Sequence, residues 1–170
     1  MLKLFNDLHP FFEDNYRRIN VREYARILNI SPPTSSKMLK SYHIQGLLLL
    51  EEDKNYLNFV ANNENELFIY LSRIYWFQKF SAVGLLDYLR EILLSPLVIL
   101  FGSFTKAEVR KESDVDLAIF SPLPDEVLLN DFERKLQREI QLFKYETREK
   151  VPSQELLNNI LNGFILMGGW

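Results

Sequence analysis

Apolar residues in the first third of the chain recur every three or four positions and then give way to two short apolar runs separated by polar residues. Spacing of the first kind is typical of amphipathic helices, and runs of the second kind are typical of strands joined by a turn. The predicted elements are helices at 3–18, 21–28 and 32–43 and strands at 47–50 and 56–60. This pattern predicts a small, mostly helical domain over residues 1–62.

The next helix, predicted over 64–80, carries aromatic side chains on more than one of its faces. A single neighbouring layer would not bury them all, because one layer covers only one face of a helix. They are Phe68, Tyr70, Tyr75, Trp76, Phe77 and Phe80. Two interpretations stay open: residues 63–80 connect and pack two domains, or they form the contact of a homodimer.

From residue 81 onward, apolar runs of strand type alternate with helical segments. The predicted strands lie at 97–101, 114–120, 139–146 and 163–167, and the predicted helices at 85–94, 125–138 and 153–162, with a short helix after the first strand. Alternation of this kind predicts a second domain, residues 81–170, built on a small mixed sheet. The whole chain is therefore expected to have a mixed α+β and α/β fold.

The composition is that of a folded protein, since 47% of the 170 residues are hydrophobic, 25% are charged and the net charge is −3. The chain has no cysteine, which excludes disulfides and thiolate zinc sites and fits a reducing compartment. The N-terminus lacks the features of a signal peptide, and charged residues interrupt the most apolar stretch, 67–94. We therefore expect a cytoplasmic protein without a membrane partner.

The strongest chemical signal is a Gly-Ser pair followed, after ten residues, by Asp-x-Asp. Gly102 and Ser103 come directly after one predicted strand, and Asp114 and Asp116 begin the next. Residues two apart on a strand share a face, roughly 6–7 Å from each other. Both carboxylates therefore point the same way, opposite the apolar side chains that are expected to face the core, and are candidate Mg²⁺ ligands. A glycine allows close backbone approach, and the turn after it can aim amide N–H groups at phosphate oxygens.

The segment LFGSFTKAEVRKESDVDLAIF resembles the signature of the minimal nucleotidyltransferases of the DNA polymerase β-like superfamily, and the resemblance covers roughly residues 80–170. It implies transfer of a nucleoside monophosphate, above all AMP from ATP, to a hydroxyl group, with Mg²⁺ as the cofactor. Many such proteins are antitoxins that modify a tyrosine of a HEPN-type toxin, so the implied protein partner is a toxin of that type. The implied site residues are Asp114 and Asp116 for catalysis and metal binding, and Gly102, Ser103 and Lys106 for nucleotide binding.

The sequence departs from the superfamily at the third carboxylate, which catalytic members carry on a later strand. On the corresponding strand here, 139–146, the best-matching position is Gln141. An amide is neutral and cannot act as a general base near pH 7. Glu139 lies two residues before Gln141, on the same face of the predicted strand, and is the candidate substitute for the missing carboxylate. Binding of nucleotide and Mg²⁺ stays expected even if transfer is slow or absent.

The order of elements in residues 1–62 resembles a winged helix-turn-helix domain, with 32–43 as the recognition helix. The resemblance implies DNA contacts from the hydroxyls and lysines of that helix. These residues are Thr34, Ser35, Ser36, Lys37 and Lys40. Three carboxylates at the predicted wing tip, residues 51–53, oppose this interpretation because a phosphate backbone would repel them.

Three functions are compatible with the sequence. The first is a nucleotidyltransferase that modifies a hydroxyl acceptor, and the neutral Gln141 is the residue that weighs against it. The second is a transcriptional regulator of winged-helix type whose nucleotide-binding domain is weak or inactive as an enzyme. The third is an adaptor in which both domains bind only protein.

Overall fold

The computed structural model describes residues 3–53, 56–122 and 127–169, and it divides the chain into two compact units. The first unit consists of Met1–Ser72 together with Lys106–Lys111, and the second of Arg73–Thr105 together with Glu112–Trp170. The expected domain boundaries after residues 62 and 80 remain predictions. Within the described ranges, no helix is both long enough and apolar enough to cross a membrane.

The elements of the first unit follow the predicted order of three helices and a hairpin. They are α1 (Lys3–Glu13), α2 (Val21–Leu28), α3 (Pro32–Ile44), β1 (Leu48–Asp53) and β2 (Tyr56–Ala61), and the long helix α4 (Glu66–Ala82) begins here and continues into the second unit. Strands β1 and β2 pair in antiparallel fashion, with Leu48 opposite Ala61. Glu51 to Asp53, predicted as part of a turn, instead extend β1, and residues 54–55 lie outside the described ranges.

Helix α1 is five residues shorter than the predicted 3–18. It stops because Asn15 takes part in other hydrogen bonds: its amide side chain donates to the carbonyl of Phe11, and its main chain pairs with Val109. Helix α3, in contrast, begins as predicted, with Ser31 Oγ accepting from the Thr34 N–H at 3.3 Å and a proline at the first helical position.

The second unit contains a four-stranded mixed sheet, as predicted. Its strands are β3 (Leu97–Phe101), β4 (Val115–Phe120), β5 (Ile140–Tyr145) and β6 (Phe164–Met167), and its helices are α5 (Leu85–Ile92), α6 (Ser103–Lys106), α7 (Asn130–Leu136) and α8 (Gln154–Leu161). The strand order is β5-β4-β3-β6, in which β4 and β5 are parallel and the other two pairs are antiparallel. The two central strands, β3 and β4, are therefore flanked on both sides.

Both faces of the central strands are buried, which corrects the expectation that the aspartate face of β4 lies opposite the core. Every residue of β3 is buried, and on β4 the face that begins with Asp116 continues into buried Ala118 and Phe120. Those two side chains belong to a core cluster that includes Ile160 of α8. Asp116 consequently sits at the end of a buried strand and not on a solvated face.

The helix predicted over 125–138 is shorter in the structure, where α7 spans only Asn130–Leu136. Residues 123–126 lie outside the described ranges. Leu128, which lies within the predicted range, precedes α7 and is 64% exposed, and its N–H donates to the hydroxyl of Tyr88. Apolar residues keep a helical spacing at positions before α7 begins, so periodicity alone predicted a start that is too early.

Candidate functional site

The site is built at one end of the two central strands. Phe101, the last residue of β3, pairs with Asp116 of β4, which brings Gly102 alongside the Asp116 carboxylate. Gly102 has φ 70°, a left-handed conformation that favours glycine. A Cβ at this position would overlap Oδ2 of Asp116. The glycine therefore makes room for a carboxylate of the protein itself, a reason that the sequence alone did not give.

Hydrogen bonds from Thr105 and Arg73 stabilise the Gly-Ser turn. The N–H and the hydroxyl of Thr105 both donate to the Gly102 carbonyl, at 3.2 and 2.9 Å, and Arg73 Nε donates to the Thr105 carbonyl at 2.8 Å. Phe104 is fully buried, and its ring lies edge to face against Trp76 with centroids 4.6 Å apart. Ser103 stays partly exposed at the start of α6.

The two aspartates lie beside Gln141, the residue predicted at the third carboxylate position. Gln141 is opposite Asp116 in the parallel pairing of β4 with β5. Its side-chain Nε2 donates to Oδ2 of Asp114 at 2.8 Å. Both aspartates are partly buried, whereas Gln141 is exposed. The structure thus brings Asp114, Asp116 and Gln141 together at the edge next to the Gly-Ser turn.

The electrostatics of the site are set by two neighbouring carboxylates that repel each other. Burial, followed by repulsion from the Asp114 carboxylate, raises the pKa of Asp116 from 3.8 to about 6. A bound cation would reverse both effects, because it compensates the lost hydration and separates the two negative charges electrostatically.

The donors fit a magnesium ion that keeps part of its shell for water and phosphate. Asp114 and Asp116 supply carboxylate oxygens, and the side-chain carbonyl of Gln141 is a third oxygen within the same group of residues. Among the described residues, no cluster of three or more His, Cys, Asp or Glu side chains is arranged to hold a metal. A metal here would therefore depend on two protein carboxylates and on the oxygens of a substrate.

Two predicted residues are not joined to this group. The Glu139 side chain is exposed, and the residue contributes its main-chain carbonyl, which accepts from the Val115 N–H at 2.8 Å. Lys106 is also exposed, and it is the last residue of α6 and part of the first unit. Their roles as substitute base and phosphate ligand stay predictions.

No sequence motif pointed to Arg138, which contacts both halves of the site. Its Nη1 donates to the carbonyl of Ser113 at 3.3 Å, one residue before Asp114. Its guanidinium carbon lies 5.7 Å from the Trp76 ring centre and 6.0 Å from that of Phe104. Arg138 follows Gln137, whose positive φ of 56° ends α7 and turns the chain back toward the site. No sequence motif marks that turn, so the position of Arg138 beside the site could not be predicted from the sequence.

The predicted DNA-contacting residues of α3 do not all face solvent. Thr34, Lys37 and Lys40 are exposed and Ser36 is partly exposed. Ser35 is fully buried, and its hydroxyl donates to the Val21 carbonyl at 2.7 Å, which links α3 to α2. This corrects the expectation for Ser35, whose side chain is used inside the unit.

Comparison with known families finds one match. Residues 84–166, from the start of α5 into β6, match the family model described as "Nucleotidyltransferase domain". The match covers a little under half of the 170 residues and includes the Gly-Ser turn, both aspartates and Gln141. It supports the nucleotidyltransferase assignment of this part of the chain and nucleotidyl transfer as the general activity. A search of curated proteins and a search of solved structures gave no match.

Proposed function

We propose that this protein is a Mg²⁺-dependent nucleotidyltransferase that moves a nucleoside monophosphate, AMP from ATP, to a hydroxyl acceptor. The observation that supports the proposal most directly is the placement of Asp114 and Asp116 against the Gly102-Ser103 turn. Two carboxylates for a metal and a glycine turn for phosphates are the minimal equipment of phosphoryl transfer, in which positioning and charge neutralisation supply most of the catalysis.

Each residue of the proposed site has a distinct role. Asp114 and Asp116 hold Mg²⁺, which when bound neutralises charge that develops on the α-phosphate and the leaving pyrophosphate. Gly102 lets the backbone approach the phosphates while leaving space for Asp116. Ser103 donates its hydroxyl to a phosphate oxygen. Gln141 orients Asp114 through its 2.8 Å hydrogen bond.

Among the residues that the structure describes, the side chain at the third position is Gln141, which cannot act as a general base at neutral pH. We therefore expect slow transfer to an isolated alcohol. The acceptor proposed from the family resemblance is a HEPN-type toxin, which the antitoxin would modify at a tyrosine.

The test of the proposed activity is label transfer from [α-³²P]ATP in the presence of Mg²⁺ and host lysate, followed by a denaturing gel. The control is the double variant Asp114→Asn/Asp116→Asn, which keeps the shape of the site and removes its charge. A labelled protein band that disappears with the variant is the expected result. The absence of a band with all four nucleotides, despite measurable binding of Mg²⁺ and nucleotide, would contradict the proposed transfer.

A second candidate function is a winged-helix regulator in which the nucleotide site senses and does not catalyse. It is favoured by Gln141 at the position of the missing carboxylate and by the exposed Lys37 and Lys40 of α3. The variant Lys37→Gln/Lys40→Gln should then weaken binding to DNA from the gene's own promoter region and flatten its salt dependence, because each lysine releases about one counterion. Unchanged binding in a gel-shift titration would argue against this role for α3.

A further inference from the structure

The segment between the two halves of the site does not belong to the same unit as the halves themselves. Ser103 and Asp114 lie in the second unit, whereas residues 106–111 between them pack in the first. Residues 106–111, which we call the spacer, therefore belong to a different unit from the residues on either side of them. Contacts that fix this spacer also limit where its two ends can lie, because only a few residues separate it from each.

Asn15 holds the spacer through a pair of hydrogen bonds to one residue. Its main-chain N–H donates to the Val109 carbonyl at 2.8 Å, and its side-chain Oδ1 accepts from the Val109 N–H at 2.6 Å. The side-chain Nδ2 donates to the Phe11 carbonyl at 2.7 Å, which fixes the amide orientation. Asn15 is 2% exposed and Val109 is fully buried, so water cannot replace these bonds without opening the unit.

Two further features confine the same segment. The Arg110 guanidinium lies 4.1 Å from the centre of the Tyr16 ring, next to Asn15 in the sequence. Ala107 is fully buried with φ 53°, a left-handed conformation that alanine seldom adopts and that surrounding contacts must hold in place. The spacer is thus a fixed part of the first unit on both sides of Val109.

We propose that Asn15 is a positioning residue for the nucleotide site, and this proposal rests on the proposed function. Val109 lies six residues after Ser103 and five before Asp114, so holding it in place limits the paths open to both. Without Oδ1 of Asn15 as its acceptor, the buried Val109 N–H has lost this hydrogen bond, and the spacer can adopt alternative conformations. The residues on either side of the spacer, 102–105 and 112–116, would then be less restrained, and nucleotide affinity would fall.

The matched pair of variants for a test is Asn15→Ala and Asn20→Ala. Asn20 also uses its side-chain oxygen within the first unit, where it accepts from the Glu23 N–H at 3.0 Å and caps α2. Both variants lose a hydrogen bond accepted by the side-chain oxygen, and Asn15→Ala also loses the bond from Nδ2 to the Phe11 carbonyl, so both should lower Tm. Only Asn15→Ala should also raise the dissociation constant for Mg²⁺-ATP, by about tenfold, which corresponds to the loss of one buried hydrogen-bond partner.

Two measurements on the full chain decide the matter: titration with a fluorescent ATP analogue in Mg²⁺, and hydrogen exchange of the free protein. We expect Asn15→Ala to lose exchange protection in the spacer and also at 102–105 and 112–116, and Asn20→Ala to keep it there. Tyr16→Ala removes only the ring beneath Arg110 and should give a smaller change in the same direction, which provides a test if Asn15→Ala does not fold. Loss of protection confined to 106–111 with unchanged affinity would overturn the proposal.

The failure of the proposed function is distinguishable from the failure of this inference. If the wild-type protein binds no nucleotide, the proposed function fails, and exchange at 102–105 and 112–116 alone decides the role of Asn15. If it binds nucleotide and the Asn15 and Asn20 variants are equally weakened, the proposed function stands and the positioning role is refuted.

Discussion

The proposed metal ligand Asp116 lowers the stability of the folded protein at neutral pH. Its carboxylate lies against Gly102, is partly buried and is close to the charge of Asp114. Buried charge of this kind is unfavourable for folding unless a ligand compensates it. Charged groups in such environments concentrate at functional sites, which agrees with the nucleotidyltransferase assignment.

The pH dependence of stability follows from the raised pKa of Asp116, which is about 6 against an ordinary 3.8. Because the folded state holds this proton more tightly, the stability contributed by Asp116 is fully present below about pH 3.8 and is lost as pH rises through about 6. We expect Asp116→Asn to be more stable than wild type at pH 7.5 in EDTA, with the difference shrinking toward pH 4.

Urea unfolding at several pH values in EDTA measures this effect. Asp87→Asn, which changes an exposed carboxylate on α5, is the control and should not change the pH profile in this way. A difference between Asp116→Asn and wild type that stays constant from pH 4 to 7.5 would refute the assigned cause. Addition of Mg²⁺ should restore part of the wild-type stability and leave the variant unaffected.

Gly102→Ala tests whether the glycine is needed for its contact with Asp116 as well as for its backbone conformation. Alanine at a left-handed position costs about 1–2 kcal/mol, and the added Cβ would in addition overlap the Asp116 carboxylate. We expect a larger loss of stability than for Gly84→Ala, together with nucleotide affinity reduced by at least about tenfold.

Gly84 is the matched control, because its φ of 85° is also left-handed and a Cβ there meets no atom within 4 Å. The comparison of the two variants by urea unfolding isolates the overlap with Asp116. Equal losses of stability would show that only the backbone conformation matters at residue 102.

At the scale of elements, strand β4 organises the site because it pairs differently on its two sides. Its antiparallel pairing with β3 places Phe101 opposite Asp116, and its parallel pairing with β5 places Gln141 there too. The positions of all four strands were predictable, since each is a short apolar run between turn residues. Helix boundaries were less predictable, as the truncated α1 and α7 show, because capping hydrogen bonds and tertiary contacts decide where a helix ends.

Gln141→Glu tests whether the site lacks only its base. The substitution keeps the side-chain length, places a carboxylate next to Asp116 and removes the donor to Asp114. General-base catalysis typically contributes 10²–10⁴-fold, so we expect transfer from ATP to increase by at least about tenfold in saturating Mg²⁺. Without Mg²⁺ the three neighbouring carboxylates should lower stability.

Initial rates of label transfer measure the gain, with Gln154→Glu on the exposed start of α8 as a control for added charge. A rate unchanged by Gln141→Glu, with nucleotide binding intact, would mean that the acceptor hydroxyl is deprotonated by some other group. Such a result would leave Glu139 or the acceptor itself as the source of the base.

At the scale of the whole molecule, the chain crosses between its two units after Ser72, after Thr105 and after Lys111. We expect the units to unfold together, because the spacer cannot leave the first unit without disturbing the segments on either side of it. In urea, far-UV circular dichroism and Trp76 fluorescence, the latter measured in a Trp170→Phe variant, should give one superimposable transition. Two separated transitions would show that the spacer does not couple the units.

The local features of the site could be predicted from the sequence by itself. They are the strand-turn-strand arrangement, the shared face of Asp114 and Asp116, and the neutral Gln141 at the position of the third carboxylate. These features depend on residues close in sequence or on strand periodicity, which short-range geometry dictates. Only the tertiary structure showed that Gly102 makes room for Asp116, that Arg138 reaches Ser113 and that Asn15 holds Val109. Such contacts join residues far apart in the chain, and packing of the whole fold decides them.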